Sequence, residues 1–174
     1  RSKRLKYFFN FQEDGADTLK NIYNMYVGKD NMPNYYNLFI NKYCNEASNP
    51  IILVFDNELV SKKRPLYKFV NDVVGLSDDK IEELSKTCKV NLIGNLYLVT
   101  TPLVKSALES EIEDLYLEET LSHEISEKHF SKKAKIDSEK EYGKAIFANY
   151  VFENSEKISF DMFKPMISAI DSII

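Results

Sequence analysis

The chain has 174 residues, of which 44% are hydrophobic and 29% charged. This composition is typical of one folded domain, or of a core with a helical extension, rather than of disordered, collagen-like or membrane-spanning proteins. Acidic residues (27) outnumber Lys and Arg (23), and the net charge of −4 argues against coating nucleic acid by bulk positive charge. Two distant cysteines, Cys44 and Cys88, lack zinc-site spacing and favour free thiols in a reducing compartment such as the cytoplasm.

The first part of the chain predicts a strand and then two helices. Residues 5–11 are rich in aromatic side chains and stop at a turn that contains glycine, which is the pattern of a strand. Asp17 or Thr18 then begins a helix that Gly28 ends, and a second amphipathic helix follows Pro33. The apolar face of the first helix comprises Leu19, Ile22, Tyr23 and Tyr26.

Two short apolar runs predict strands of an open sheet. Ile51–Phe55 is an unbroken apolar run, which is typical of a strand buried on both faces, and Leu96–Thr100 is the next strand. Between them, residues 66–74 have helical spacing, and Asp79 with Glu82 resembles a capping box at the start of a short helix. This alternation predicts an α/β fold with an open, mainly parallel sheet flanked by helices.

The second half of the chain predicts few strands. We divide the chain into an α/β core at residues 1–105 and an acidic, Lys-rich, mostly helical part at residues 106–174 that completes the site. A helix is predicted at residues 142–150, and the last helix contains Pro165 as a kink or as a first-turn residue.

Acidic residues follow the two predicted strands. Asp56 and Glu58 come directly after the first strand, and Glu113 and Asp114 follow the second by a short connection. If the strands are neighbours, these four carboxylates could converge at one end of the sheet and bind Mg²⁺. At least one of them should then have a raised pKa without metal, because clustered acids repel. The alternatives are a simple turn after the strand and a solvated helix face at residues 109–119.

One lysine is placed where it could act on a phosphate. Lys144 opens a predicted helix and could stabilise charge that develops on a scissile phosphate, although most helical lysines simply face solvent. His123 and His129 have no zinc-helix spacing and are interpreted as surface or packing residues. The sequence contains neither a Gly-rich phosphate loop nor a GxSxG motif.

The order of these motifs resembles a known family. The matching segments are NPIILVFDNE at residues 49–58, NLYLVTTP at 95–102, IEDLY at 112–116, YGK at 142–144, ISF at 158–160 and FKP at 163–165. Together they are similar to the Toprim-type region at the C-terminus of some retron reverse transcriptases, over residues 50–174. The resemblance implies a Toprim fold, the metal-binding α/β module shared by primases, topoisomerases and overcoming-lysogenisation-defect nucleases.

The resemblance also implies roles for the residues that match. Asp56 and Glu58 match the family's DxD motif, with a Glu that is one methylene longer in the second position. Glu113 and Asp114 would belong to the same metal cluster, which would bind Mg²⁺ or Mn²⁺. Lys144 would match a lysine that assists phosphodiester cleavage. Asp56, Glu58 and Lys144 are therefore the predicted catalytic residues.

The family's first acidic motif, a Glu-Gly pair, has two possible positions. Glu13 lies one residue too far from Gly15, and the alternative is a Glu upstream of Arg1. We therefore expect the chain to be part of a longer protein, with its first strand and part of its active site upstream.

The function that the resemblance implies is that of a metal-dependent nuclease. It would be the effector domain of a retron-type anti-phage reverse transcriptase, cleaving DNA or RNA by a two-metal mechanism. Its partners would be the nucleic-acid substrate, the reverse transcriptase domain and the RNA–DNA product of that enzyme, with no membrane partner. The alternative is a non-catalytic domain that docks on the reverse transcriptase or its product through residues 132–144.

Overall fold

The computed structural model describes residues 15–43, 49–133 and 135–174, and these form a mixed α/β fold with helices and small sheets. The predicted strand at residues 5–11, Glu13 and Cys44 lie outside the described residues. The elements of the first half are α1 Gly15–Val27, α2 Tyr35–Tyr43, β1 Ile51–Phe55, α3 Pro65–Lys68, a π-helical turn Phe69–Val74, α4 Asp78–Thr87, β2 Lys89–Ile93 and β3 Leu96–Thr100. Those of the second half are a 3₁₀ turn Ile112–Leu115, α5 Glu118–Leu121, β4 His129–Phe130, β5 Glu141–Tyr142, α6 Lys144–Glu153, a 3₁₀ turn Asp161–Phe163 and α7 Lys164–Asp171.

The two predicted N-terminal helices are present. Helix α1 begins at Gly15, slightly earlier than predicted, and buries Tyr23 and Tyr26 as the spacing indicated. Gly28 follows it with φ +75°, a left-handed conformation that favours glycine. None of the described helices combines the length and the apolar character needed to cross a bilayer.

The main sheet has the strand order β1-β3-β2 and is mixed. Strands β1 and β3 lie where the two apolar runs predicted strands, and they pair in parallel, with Ile51 opposite Leu96. Strand β2 was not predicted; it pairs with β3 antiparallel through a turn at Gly94, whose φ is +53°. Within the described ranges, β1 is an edge strand, and its Val54 is 40% exposed. The expectation that β1 is buried on both faces is therefore wrong at Val54: Leu53 and Phe55 are buried on one face, whereas on the other Ile52 is only partly buried and Val54 is exposed.

Helices cover both faces of this sheet. On one face, Leu53 and Phe55 of β1 pack against Leu66 and Phe69, and the Phe55 and Phe69 rings stack with centroids 4.9 Å apart. The first core also receives Tyr23 and Tyr26 from α1 and Leu84 from α4. On the opposite face, Val99 of β3 packs with Leu115 and with two residues of the C-terminal segment, Phe163 and Met166. Helical segments therefore pack on both faces of the sheet. The parallel pairing of β1 and β3 places the carboxyl ends of these strands side by side.

The predicted cap of helix α4 differs from the observed one, although the helix itself was predicted. Helix α4 has Ser77 at its N-cap, and the capping box predicted for Asp79 and Glu82 is wrong. Pro165 lies in the first turn of α7, where its missing N–H leaves no hydrogen bond unmade. The short parallel pair of β4 and β5 was not predicted, and it carries Tyr142 into a third core with Phe147.

Candidate functional site

A backbone bridge joins the segment that follows β1 to the start of the second acidic segment. The N–H of Asn57 donates to the carbonyl oxygen of Ser110 at 2.9 Å, and the N–H of Ser110 donates back to Asn57 at 2.9 Å. Residues 56–58 leave β1, whereas residues 110–114 belong to the second acidic segment. The bridge therefore places the two acidic segments against each other.

A buried threonine reinforces this bridge. The Oγ1 of Thr101 accepts a hydrogen bond from the N–H of Asn57 at 2.9 Å and donates to the carbonyl oxygen of Ser110 at 2.8 Å. The Nδ2 of Asn57 donates to the Thr101 carbonyl, and the Ser110 hydroxyl donates to the carbonyl of Pro102 at 2.8 Å. Asn57, Thr101 and Ser110 are all buried, so these bonds replace contacts with water. We call these three residues the strand-end joint.

Asp56 lies next to the joint and is half-buried. Its Oδ1 accepts a hydrogen bond from the backbone N–H of Ile112 at 2.9 Å, which ties the first acidic residue to the second acidic segment. Burial raises the pKa of Asp56, with smaller increases from the charges of Glu113 and Glu111. The Ile112 hydrogen bond and Lys144 oppose these increases without cancelling them.

Glu58 is only 6% exposed, and its Oε1 lies 3.2 Å from Nη1 of Arg64. Burial raises the pKa of Glu58; Arg64 opposes this effect, and Asp56 and Glu111 add to it. The prediction that at least one predicted site carboxyl has a raised pKa is confirmed for Asp56 and Glu58. The main cause differs from the one expected, because burial outweighs mutual repulsion.

Lys144 is an ion-pair partner rather than a free surface lysine. It is the first residue of α6, and its Nζ lies 2.9 Å from Oε2 of Glu111 and 3.0 Å from Oε2 of Glu113. Burial acts to lower the pKa of Lys144, but its hydrogen bonds to Glu111 and Glu113 outweigh burial and raise it. Glu113 is 7% exposed, so its carboxylate is held in a largely buried position beside this amine.

Asp114 does not face the other three predicted carboxylates. Its Oδ2 accepts a hydrogen bond from the N–H of Glu111 at 2.8 Å, and its Oδ1 lies 2.6 Å from Nζ of Lys132. Burial acts to raise the pKa of Asp114, but these two partners lower it. Successive residues of a 3₁₀ turn are about 120° apart, so Glu113 and Asp114 face different directions. Glu113 therefore joins the Asp56 side, whereas Asp114 caps its own turn.

Arg64 and Glu111 are the two members of the site that sequence reasoning missed. Nη2 of Arg64 lies 3.9 Å from Oε1 of Glu111, whose other oxygen contacts Lys144. The one available signal for Arg64 was a cation directly before a helix-starting proline, close behind Glu58. We call the following set the carboxylate–cation network: Asp56, Glu58, Arg64, Glu111, Glu113 and Lys144.

The network has an excess of carboxylates, four against two cations, when all groups are ionised. Asp56, Glu58 and Glu113 are the residues that could hold a hard divalent cation, because carboxylate oxygens suit Mg²⁺ and Mn²⁺. Within the described part of the chain, no three His, Cys, Asp or Glu side chains are already gathered into a metal-binding group. Arg64 and Lys144 supply the positive charge instead.

Other polar features are not part of the network. A cavity of about 510 Å³ opens beside Phe55 and Phe69, and Lys20 and Lys63 are among its lining residues, but no network residue is. The ring of His123 stacks on Tyr150, and His129 is exposed beside Glu124, in line with their interpretation as packing and surface residues.

In the segment considered for docking, residues 132–144, two lysines besides Lys144 are paired. Lys132 contacts Asp114, and Lys133 lies 3.5 Å from Glu141. Lys135, in the same segment, is exposed.

No family model matches the chain, and no solved structure matches it.

Proposed function

We propose that this chain is the metal-dependent nuclease domain of a retron-type reverse transcriptase and hydrolyses phosphodiester bonds in nucleic acid. The observation that carries the proposal is the contact between its two acidic segments. Asp56 and Ile112 are 56 positions apart in sequence, yet a hydrogen bond joins them, and Glu58, Glu111, Glu113 and Lys144 lie in the same network. The resemblance of the motif order supports the nuclease class.

A Toprim-like arrangement of the sheet belongs to the same proposal. The parallel pairing of β1 with β3 is consistent with it, because the DxD-like acids then leave the carboxyl end of one strand beside its neighbour. Helices on both faces of the sheet are also consistent with such a fold. The antiparallel β2 at one edge is compatible with an open α/β sheet, in which such edge strands are common.

The chemistry of the network suits divalent cations. Asp56, Glu58 and Glu113 would hold them, because these carboxylates are partly or fully buried. A cation would offset the cost of burying their negative charge, which raises the pKa values of Asp56 and Glu58. When bound, Mg²⁺ or Mn²⁺ would supply Lewis acidity and positive charge for phosphodiester hydrolysis.

Lys144 has a separate part in the proposed reaction. Its raised pKa keeps the amine protonated at neutral pH, and about half of its side chain is exposed. A protonated amine in this position can offset the negative charge that develops on a phosphate during cleavage. Its bonds to Glu111 and Glu113 fix where that charge is presented.

Asp56→Asn in the natural full-length protein tests the proposal. The change removes one charge with almost no change in shape, so metal-dependent cleavage and cellular toxicity should be lost while partner binding persists. Asp78→Asn is the matched control, because Asp78 is exposed in the first turn of α4. Full cleavage by Asp56→Asn would refute the nuclease role.

The docking alternative gives the opposite result in the same assay. If the domain only docks, Asp56→Asn should be mild. Charge reversal at Lys132, Lys133 and Lys135 should then release the reverse transcriptase or its RNA–DNA product. Retained binding after this reversal would exclude docking through the segment.

A further inference from the structure

The Glu111 carboxylate lies between two cations. Its Oε1 is 3.9 Å from Nη2 of Arg64, and its Oε2 is 2.9 Å from Nζ of Lys144. Each oxygen of this one carboxylate therefore faces a different positive group. A phosphodiester presents two non-bridging oxygens to its partners in a similar way, and Arg and Lys are the side chains that bind it.

Both cations can be reached from solvent. The side chain of Arg64 is 49% exposed and that of Lys144 is 46% exposed, whereas the Glu111 side chain between them is 22% exposed. Arg64 lies just before α3 and Lys144 opens α6, so two separate elements fix the space between the cations. Because the whole chain is acidic and carboxylates outnumber cations in the network, a phosphate can bind here only through the exposed parts of Arg64 and Lys144.

We propose that Arg64 and Lys144 form a binding site for a backbone phosphodiester of nucleic acid, which Glu111 fills in the free protein. The phosphate would displace the Glu111 carboxylate and take over both cations. This assignment deepens the proposed nuclease function and rests on it for the identity of the anion. Glu111 then acts as an internal competitor that weakens binding until a phosphate of suitable geometry arrives.

The rest of the network keeps the two cations in place when Glu111 leaves. Arg64 retains its contact with Glu58 at 3.2 Å, and Lys144 retains Glu113 at 3.0 Å. Both of these carboxylates are largely buried, whereas about half of each cation's side chain stays exposed. Loss of the Glu111 charge should therefore make Arg64 and Lys144 available to a phosphate, while Glu58 and Glu113 keep both cations in position.

Glu111→Gln is the decisive variant. Glutamine keeps an oxygen that can accept the capping hydrogen bond of the 3₁₀ turn but removes the competing charge. In EDTA, fluorescence anisotropy with a labelled single-stranded oligothymidylate should show binding tightened about tenfold. Glu119→Gln has the same charge change at an exposed position and should alter the affinity by less than about twofold. The same titration with a labelled uridylate oligomer compares the affinity for RNA with that for DNA.

Arg64→Gln in the Glu111→Gln background should remove the gain. One lost phosphate contact should also reduce the slope of log K against log salt by about 0.7 for a single strand. In the wild-type background, Arg64→Gln and Lys144→Gln should each weaken binding, which tests the site even if Glu111→Gln fails to fold. Thermal unfolding followed by circular dichroism checks the fold of each variant.

Three results would overturn the assignment. They are equal affinity of Glu111→Gln and Glu119→Gln, no effect of Arg64→Gln in the Glu111→Gln background, and no oligonucleotide binding by wild type and Glu111→Gln alike. Because EDTA removes the metal, binding is measured apart from cleavage. A protein that binds in this way but never cleaves would refute the nuclease proposal alone, whereas a nuclease with unchanged affinity in Glu111→Gln would refute this site alone.

Discussion

Asp56 and Glu58 are carboxyl groups that the fold takes partly out of water. Burial raises the pKa of both above the values they have in the unfolded chain. Above the raised pKa, the folded state must hold these groups ionised at a cost in stability. As the pH falls through the raised pKa towards the ordinary carboxyl value, the folded state binds protons before the unfolded state does, and this cost disappears.

We therefore expect Asp56→Asn to stabilise the protein at neutral pH. The gain in the free energy of unfolding should be below about 1 kcal/mol, since solvent screens a half-buried group. It should shrink as the pH falls through the raised pKa towards the ordinary carboxyl pKa, because wild-type Asp56 is then protonated too. Urea denaturation across this range measures it, with Asp78→Asn as the control. A loss of stability that does not change with pH would contradict the prediction.

At this scale the sequence identified some site residues but not their partners. Asp56, Glu58 and Lys144 could be singled out because an acid after a strand and a lysine at a helix start have recognisable positions. Arg64 and Glu111 could not, since an ion pair between distant segments depends on tertiary packing, which a cation before a helix-starting proline does not indicate.

The strand-end joint, formed by Asn57, Thr101 and Ser110, is the element-scale feature on which the site depends. Its hydrogen bonds hold the acidic segment that follows β1 against the second acidic segment, beside the paired strands β1 and β3. Two adjacent threonines at the end of β3 differ in their roles. The Thr101 hydroxyl makes several buried hydrogen bonds, whereas the Thr100 hydroxyl is buried without a hydrogen-bond partner among the described residues.

This difference gives a matched pair of variants. Thr101→Val should lower the free energy of unfolding by about 1–3 kcal/mol, because it leaves buried partners unsatisfied. Thr100→Val should be neutral or slightly stabilising, because it removes a buried polar group that nothing satisfies. Guanidinium denaturation of both variants measures the effect. Equal losses would show that the joint contributes nothing specific.

Strands β1 and β3 were predictable because each is an apolar run bounded by turn residues. Strand β2 was missed although Lys89 and Asn91 alternate with Val90 and Leu92 as in a half-buried strand, because this pattern is short and its pairing depends on the turn at Gly94. The position of β1 at the edge of the described strands was also hidden, since strand order is a property of the assembled sheet. Strands β4 and β5 have two residues each, which is too short for any periodicity.

At the scale of the whole molecule, the net charge of −4 includes a local excess of carboxylates in the network. A ligand that binds only the folded state stabilises it in proportion to the logarithm of ligand concentration over Kd. A divalent cation should therefore act on global stability, although its contacts are confined to one end of the sheet.

Millimolar Mn²⁺ should raise the thermal midpoint of the protein. At a free concentration of about ten times Kd, the gain is about 1.4 kcal/mol, which corresponds to a rise of about 3–6 °C for a chain of this size. The rise should vanish in Asp56→Asn and persist in Asp78→Asn. Differential scanning calorimetry provides the measurement, and a midpoint that Mn²⁺ leaves unchanged would count against a metal site in the network.

The pairing of β1 with β3 has a consequence for the order of folding. Strands β2 and β3 are adjacent in the chain, whereas Ile51 of β1 must find Leu96, 45 positions away. Closing the longer loop costs more entropy, by about 0.6 kcal/mol for each doubling of its length, so the β2–β3 hairpin should form first. The carboxylates at the end of β1 would then join last and separate first. In hydrogen exchange, the β1 amides should consequently lose protection before those shared by β2 and β3.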